Sequence, residues 1–246
     1  MNAVPYATAG IPIRDDLVAA HQRAWRHIAS PGLWWRGAER VAIAAEVRNA
    51  PACALCRERK QALSPAAVKG THQSLGALPE NLVEVIHRIR TDPARLSKSW
   101  LEGVLASGLA VEQYVETVGV IAHVVAMDTF ARGAGVDPLP LPAPEPGEPS
   151  RYRPRAAKID GAWVPWLTPE GLVEEGVFPP GRPPANIQRA MSLVPPEAKS
   201  FFSTVVYAQY LPGPAMRDFG REFRAITHEQ IELLAGRVSV LNQCVY

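Results

Sequence analysis

The chain has 246 residues, of which 47% are apolar, so it can bury a sizeable core in one or two domains. Its formal net charge of +2 excludes a strong electrostatic pull towards nucleic acid or a membrane surface. No apolar run reaches the roughly 18 residues of a membrane span, the N-terminal residues lack a leader pattern, and three cysteines fit a disulfide-stapled secreted protein badly. We therefore expect a soluble, cytoplasmic protein in which cysteine chemistry means redox reactions or metal binding.

Helical periodicity dominates the first half of the chain. Apolar residues recur at the spacing of a helical face in residues 14–29, 36–50, 79–90, 92–106 and 111–132. Pro51 ends the second segment, and Asp92 and Pro93 are interpreted as the N-cap and first-turn residues of the fourth. The fifth segment carries a broad apolar stripe, which predicts the most buried helix.

Prolines dominate residues 137–155, which we interpret as an extended, semi-rigid linker. Beyond it, helices are predicted at residues 184–193, 197–211 and 217–238, without a series of strands. The predicted fold class is all-α, with an N-terminal helical half (1–136) and a C-terminal helical half (156–246).

The two halves share a short pattern. Val47 stands six residues before Cys53, and Val238 stands six residues before Cys244. Each pattern follows an amphipathic helical segment. The match favours an internal duplication, although only a few residues agree.

Cys53 and Cys56 form an intact C-x-x-C motif. Two thiols at this spacing in a first helical turn can reach disulfide geometry. Because Pro51 ends the preceding helix, Cys53 is expected near a helix N-terminus, where free N–H groups favour a thiolate. Two alternatives remain open, an inert buried pair and half of a zinc site that His72 and His87 would complete. The second C-x-x-C or H-x-x-x-H pair of a zinc site is absent, so redox chemistry is favoured and no metal is expected.

Glu232 precedes Cys244 by twelve residues. On one unbroken helix this spacing separates them by about 18 Å, so they cooperate only if the chain turns back between them. Ser239 and Asn242 can bond to the backbone in non-helical conformations and so favour such a turn. Cys244 would then open a second, antiparallel helix, and the Glu232 carboxylate could relay protons to its thiol.

This spacing resembles the E-x11-C-x-x-C signature of the alkylhydroperoxidase D and carboxymuconolactone decarboxylase superfamily. Glu232 and Cys244 match its first two positions, and Val245 and Tyr246 match the two spacer residues. The stretches "WRGAERVAIAAEVRNAPACALCRERKQALSP", "WLEGVLASGLAVEQYVETVGVIAHVVAMDTF", "NIQRAMSLVP" and "QIELLAGRVSVLNQCVY" are similar to its alkylhydroperoxidase-related (seleno)protein branch. The resemblance implies a duplicated all-helical bundle that forms a homo-oligomer. In that branch the second redox residue can be selenocysteine, so we expect one directly after Tyr246 and a truncated chain with little activity at this centre.

The resemblance also implies a thiol- or selenol-dependent peroxidase. In this interpretation the residue after Tyr246 attacks a hydroperoxide, Cys244 resolves the intermediate, and Glu232 relays protons. A dithiol or thioredoxin-like protein then reduces the enzyme. Cys53 and Cys56 are further catalytic candidates, and no cofactor besides selenocysteine, no nucleic acid and no membrane is expected.

The Cys53–Cys56 pair departs from the family spacing. Val41 occupies the position twelve residues before Cys53, and Lys60 stands where a histidine is expected. The pair is therefore interpreted as a second, modified redox centre or as a vestige of duplication. Two other function classes remain, a non-redox enzyme resembling carboxymuconolactone decarboxylase and a non-enzymatic thiol redox switch.

Other polar residues have simpler interpretations. Glu116 and His123 lie on one face of the most apolar predicted helix, where buried polar groups usually satisfy one another or a neighbouring helix. Thr227 and Gln230 are predicted to form a capping box that starts the C-terminal helix. His228 would then be an exposed residue of its first turn.

Overall fold

Six α-helices lie within residues 6–136 of the computed structural model, which describes residues 6–180, 185–213, 215–242 and 244. They are α1 (Asp15–Ala29), α2 (Gly37–Asn49), α3 (Ala54–Gln61), α4 (Glu80–Thr91), α5 (Lys98–Ala106) and α6 (Val111–Gly133). Short 3₁₀ turns occur at Ala50–Ala52, Pro65–Ala67 and Pro93–Arg95. The mostly helical structure confirms the predicted all-α class.

Helix α6 is the central element of the fold. One of its faces joins α1, α2 and α4 in the main apolar core, whose members include Ile28, Ile43, Leu82, Ile86, Val120, Val124 and Met127. Its other face, around Val115, packs under residues of the C-terminal half. Burying each large aliphatic side chain contributes about 1.5–3 kcal/mol. Within the described residues α6 is the one helix long and apolar enough to cross a membrane, and its burial on two faces of the fold is typical of a core helix with that composition.

Helix α5 begins later than predicted. Asp92 ends α4, and its carboxylate accepts a hydrogen bond from Arg95 Nε at 2.9 Å instead of capping a new helix. Ser97 is the actual N-cap of α5, because its hydroxyl accepts the backbone N–H of Trp100 at 3.2 Å. The predicted start at Asp92 was wrong because a second, better-placed cap follows it.

The proline-rich segment 137–155 has no regular secondary structure and lies against the first half of the chain. The Trp25 indole N–H donates to the Pro140 carbonyl at 2.6 Å, and the Glu145 N–H donates to the Ala29 carbonyl at 2.9 Å. A third bond runs from the Arg151 N–H to the Leu33 carbonyl at 2.8 Å. These backbone bonds fix the segment along α1 and the loop that follows it.

The C-terminal half begins with a strand pair that the periodicity did not predict. Strands β1 (Ala157–Lys158) and β2 (Trp166–Leu167) pair in antiparallel fashion. The helices that follow are α7 (Pro169–Glu174), α8 (Asn186–Arg189), α9 (Pro195–Ser200) and α10 (Tyr207–Gln209), with a π-helical turn over Phe201–Val206 between the last two. The segment from α9 to α10 matches the helix predicted at 197–211.

The helix predicted at 184–193 is shorter in the structure, and its first residue lies outside the described residues. Only the single turn α8 is helical, because Ser192 turns back towards β2. Its hydroxyl donates to the Arg189 carbonyl at 2.6 Å and accepts the Leu167 N–H at 2.9 Å.

Helix α11 (His228–Leu241) begins eleven residues later than the predicted start at 217. Thr227 and Gln230 form the predicted capping box, and this cap places the start at residue 228. His228 is buried rather than exposed, with only 2% of its surface accessible. Its ring stacks on Phe219 at a centroid distance of 4.0 Å, so the expected exposed position was wrong.

Candidate functional site

The Cys53–Cys56 motif lies where one helix ends and the next begins. Pro51 sits in the 3₁₀ turn that follows α2, and Cys53 then adopts an extended conformation as the N-cap of α3. Cys56 follows on the first turn of α3, and both side chains are buried. The predicted position of Cys53 at a helix N-terminus is confirmed.

Two histidines from outside the motif converge on the thiols. His72 lies in the loop between α3 and α4, and its Nδ1 is 3.6 Å from Cys53 Sγ and 3.4 Å from Cys56 Sγ. His87 lies on α4, with its Nδ1 3.3 Å from Cys56 Sγ. All four donor atoms lie within 4.8 Å of one another. The structure therefore unites the four residues that the zinc alternative named.

Each imidazole has a carboxylate on its far side. His72 Nε2 lies 2.7 Å from Glu84 Oε2, and His87 Nε2 lies 2.8 Å from Glu46 Oε1. A carboxylate in this position holds the proton on Nε2 and turns Nδ1 towards the sulfur atoms. The arrangement is thus a dithiol enclosed by two histidine–carboxylate pairs.

Further donors hold these carboxylates in place. Glu84 accepts hydrogen bonds from Arg59 Nη1 at 2.9 Å and from the Trp100 indole at 3.0 Å. Glu46 accepts bonds from the Asn49 amide at 2.9 Å and from the Leu75 N–H at 3.0 Å. Both carboxylates are therefore fixed independently of the histidines.

The surroundings favour ionised thiols. Burial disfavours the Cys56 thiolate, but hydrogen bonds from His72 and His87 outweigh it and lower the pKa of Cys56 to about 6. The pKa of Cys53 is also lowered, because backbone N–H groups of Gln73 and Cys56 outweigh the effect of its burial. The thiol that two imidazoles contact is the more acidic of the pair.

The pKa values of the two histidines are raised, whereas the pKa of the Glu84 carboxylate is lowered. Burial disfavours an imidazolium, yet hydrogen bonds to Cys56 and Glu84 raise the pKa of His72 to about 10. The pKa of His87 is raised by the corresponding bonds to Cys56 and Glu46, against its burial. Burial would raise the pKa of Glu84, but its donors lower it to about 2. In the metal-free protein these shifts favour a thiolate beside a protonated imidazole.

Two cavities adjoin the cluster from different sides. Cys56 borders a cavity of about 220 Å³ whose other lining residues are Pro51, Arg57, Lys60, Arg90 and Thr91. A second cavity of about 530 Å³ is bordered by His72, Glu84 and Trp100. The smaller cavity gives small molecules a route to Cys56, and three cationic residues line this cavity.

The other predicted pair, Glu232 and Cys244, does not lie in a comparable cluster of histidines and carboxylates among the described residues. Glu232 lies on α11, where it accepts a hydrogen bond from the Tyr210 hydroxyl and lies 3.3 Å from His228 Nε2. Cys244 is exposed beyond the end of α11, with its N–H bonded to the Ser239 carbonyl at 2.9 Å. Helix α11 continues to Leu241, so the turn expected after Val238 begins only at Asn242. The spacer residues 245 and 246 lie outside the described residues.

Glu116 and His123 of α6 are satisfied mainly by neighbouring helices, as expected, and not by each other. The Glu116 carboxylate accepts a hydrogen bond from Arg40 Nη1 at 2.5 Å, and the same nitrogen lies 2.7 Å from Glu197 Oε1. His123 is bonded through Nδ1 to the Gly119 carbonyl at 2.7 Å. This buried network joins α2, α6 and α9 and explains why charged residues occur in the apolar helix.

The sequence interpretation missed the two carboxylates of the cluster. Neither Glu46 nor Glu84 was given a role. Glu84 and His87 are three residues apart on α4, so they lie on one helix face. Two polar residues at that spacing within the otherwise apolar stretch 82–87 were the available signal.

The fold and the site together define a mostly helical protein with a buried dithiol between two histidine–carboxylate pairs. No protein-family model, curated protein or solved structure matches the chain. Its function is therefore inferred from the chemistry of the site.

Proposed function

We propose that this protein is a thiol-dependent oxidoreductase that reduces hydroperoxides with the Cys53–Cys56 pair. The observation that carries the proposal is the contact of Cys56 Sγ with two imidazoles, at 3.4 Å from His72 and 3.3 Å from His87. The two imidazoles favour the nucleophilic thiolate, and in their protonated form they can donate protons to the oxygen atoms that leave. The small cavity at Cys56 supports its role as the attacking residue.

The reaction balances with the groups at the site. The Cys56 thiolate attacks one peroxide oxygen, the O–O bond breaks, and the departing alkoxide takes a proton from one imidazolium to give an alcohol. The resulting sulfenic acid is attacked by the Cys53 thiolate, a disulfide forms, and hydroxide takes a proton from the second imidazolium to give water. An external dithiol or thioredoxin-like protein then reduces the disulfide by exchange and restores both thiols.

The short distance between the two sulfur atoms supports the disulfide step. They lie within the 4.8 Å that encloses the cluster, so side-chain rotation brings them together without a large backbone movement. Arg57, Lys60 and Arg90 line the small cavity at Cys56, and their positive charge favours small or anionic hydroperoxides.

Glu232 and Cys244 form a second proposed centre, which the family resemblance supports. A homo-oligomeric, duplicated helical bundle belongs to the same proposal. Tyr210 and His228 beside Glu232 supply polar groups near that carboxylate. The contacts among the described residues favour Cys53–Cys56 as the principal centre, because there thiols, imidazoles and carboxylates are already assembled.

Steady-state peroxide consumption tests the proposal with the reduced, chelator-treated full chain and a thioredoxin-type reductant. We expect Cys56→Ser to lower turnover at least about 100-fold, whereas Ser64→Ala, a small change at an exposed position outside both centres, retains it. Cys53→Ser should leave a sulfenic acid on Cys56 that a dimedone probe traps. Wild-type turnover no greater than that of Cys56→Ser would refute the proposal, and a disulfide that forms without turnover would favour the redox-switch alternative.

A further inference from the structure

The four donor atoms of the cluster have the spacing of a tetrahedral coordination shell. With Zn–S near 2.3 Å and Zn–N near 2.0–2.1 Å, a tetrahedron has sulfur–nitrogen edges of about 3.5 Å. Three of the sulfur–nitrogen distances in the cluster are 3.6, 3.4 and 3.3 Å. The remaining pairs lie within 4.8 Å, so the set is close to the size that the ion requires.

The carboxylates bonded to the two histidines hold the imidazoles in the form that binds a metal. Glu84 and Glu46 accept from the Nε2 atoms of His72 and His87, which leaves both Nδ1 lone pairs facing the sulfur atoms. Such carboxylates orient histidine ligands and raise their basicity. The ring centroids of the two imidazoles are 4.3 Å apart, so both rings can approach one shared cation.

A divalent ion would neutralise most of the charge of the cluster. Two thiolates balance the ion, and the Glu84 carboxylate is paired with Arg59 at 2.9 Å. The one remaining charge, on the Glu46 carboxylate, is stabilised by amide donors from Asn49 and Leu75. The ion therefore removes the cost of two uncompensated buried thiolates.

We propose that the reduced Cys53–Cys56 pair, His72 and His87 bind one Zn²⁺ ion as a tetrahedral Cys₂His₂ site. Two thiolates and two imidazoles in this geometry suit zinc better than magnesium or calcium, which prefer oxygen ligands. Four protein ligands leave no open position, so the ion stabilises the junction of α3, the loop that follows it, and α4. The histidines are fifteen residues apart, unlike the close pair of a zinc finger, so their spacing alone does not identify the site.

Zinc binding goes beyond the proposed peroxidase reaction and does not depend on it. The same two thiolates cannot coordinate the ion and form a disulfide at the same time. Zinc would therefore store the pair in a reduced, protected form, and the metal-free protein would be the redox-active one.

Metal analysis of the full chain, purified under reducing conditions with zinc supplied, tests the site directly. We expect about one zinc per chain in the wild type and in the control Cys244→Ser, and at least a tenfold lower content in Cys56→Ser and His72→Gln. Co²⁺ titration of the metal-free wild type should give thiolate charge-transfer bands and the intense visible bands of a tetrahedral ion. This second measurement needs no substitution and so does not depend on the folding of a variant.

Two results would overturn the inference. One is a wild-type chain that holds less than about a tenth of an equivalent of zinc and gives no tetrahedral cobalt spectrum. The other is a zinc content that both substitutions leave unchanged. Peroxide turnover is measured separately in chelator, so zinc without turnover refutes only the peroxidase proposal, and turnover without zinc refutes only the metal site.

Discussion

The pH dependence of Cys56 alkylation in the metal-free protein follows directly from the two imidazole contacts, and His87→Gln removes one of them. The site lowers the pKa of Cys56 from 9.0 to about 6. At pH 7 the thiolate fraction then rises from about 1% to about 90%. A less basic thiolate is also less nucleophilic, and a Brønsted coefficient of about 0.45 over this shift costs about 20-fold in intrinsic rate. The net gain is therefore only about fourfold at pH 7, but about 20-fold at pH 6.

Because these two effects nearly cancel at pH 7, the midpoint of the pH profile is the sharper measurement. The reduced protein is alkylated in chelator with a small haloacetamide at a series of pH values, and the modified Cys56 peptide is quantified by mass spectrometry. We expect a midpoint near pH 6 in the wild type and a midpoint at least about one unit higher in His87→Gln. The exposed Cys244 is quantified in the same digest and should be unaffected. A wild-type midpoint near 9, or the same midpoint in both proteins, would refute the assignment of the imidazoles as the cause.

Two pairs of substitutions test the packing and the buried charge around α6 through the free energy of unfolding in urea. Gly119→Ala places a Cβ 2.5 Å from a Glu197 carboxylate oxygen and should cost about 1–3 kcal/mol. Gly103→Ala, whose Cβ meets nothing within 4 Å, should instead gain up to about 1 kcal/mol, and similar losses in both variants would contradict the close approach. Arg40→Met removes the cation that two buried carboxylates share and should cost about 3–5 kcal/mol, whereas Arg36→Met at an exposed ion pair should cost less than about 1 kcal/mol. Equal costs for the two arginine variants would argue against a buried network.

Local signals in the sequence were sufficient for most of the first half of the fold. The apolar repeat locates α1, α2, α4 and α6, because each buries one or two faces against a shared core. Pro51 and the motif after it place Cys53 at a helix N-terminus, since both effects act within a few residues. The start of α5 was misplaced because Asp92 and Ser97 both have side chains suited to capping, and the Asp92 carboxylate instead bonds to the neighbouring Arg88 and Arg95.

The candidate site was only partly predictable for a different reason. The sequence identifies the thiols and names His72 and His87 as possible partners, but no periodicity places His72, because it lies in an irregular loop. The position of His72 follows from the packing of α3 on α4 and from the hydrogen bond between its ring and the Glu84 carboxylate. Distances between elements that are far apart in the sequence decide this arrangement, and one sequence alone does not contain them.

The loss of zinc on oxidation is the prediction that joins the two proposals. Two thiolates give up two electrons to form the Cys53–Cys56 disulfide, while the peroxide takes these electrons and two protons to become an alcohol and water. Disulfide sulfur is a poor zinc ligand, so oxidation leaves only the two histidines and should release the ion completely.

Hydroperoxide is added to the zinc-loaded protein, and released zinc is followed with a chromogenic chelator while the disulfide is followed by mass spectrometry. We expect one zinc released per disulfide formed, with the same time course, and an unchanged ratio in Cys244→Ser. Complete disulfide formation with the zinc still bound would show that Cys53 and Cys56 are not its ligands. Zinc release with both thiols still free would show that the ion is held elsewhere or too weakly for a four-ligand site. Only matched time courses are consistent with one pair of sulfur atoms that serves both the metal and the peroxide.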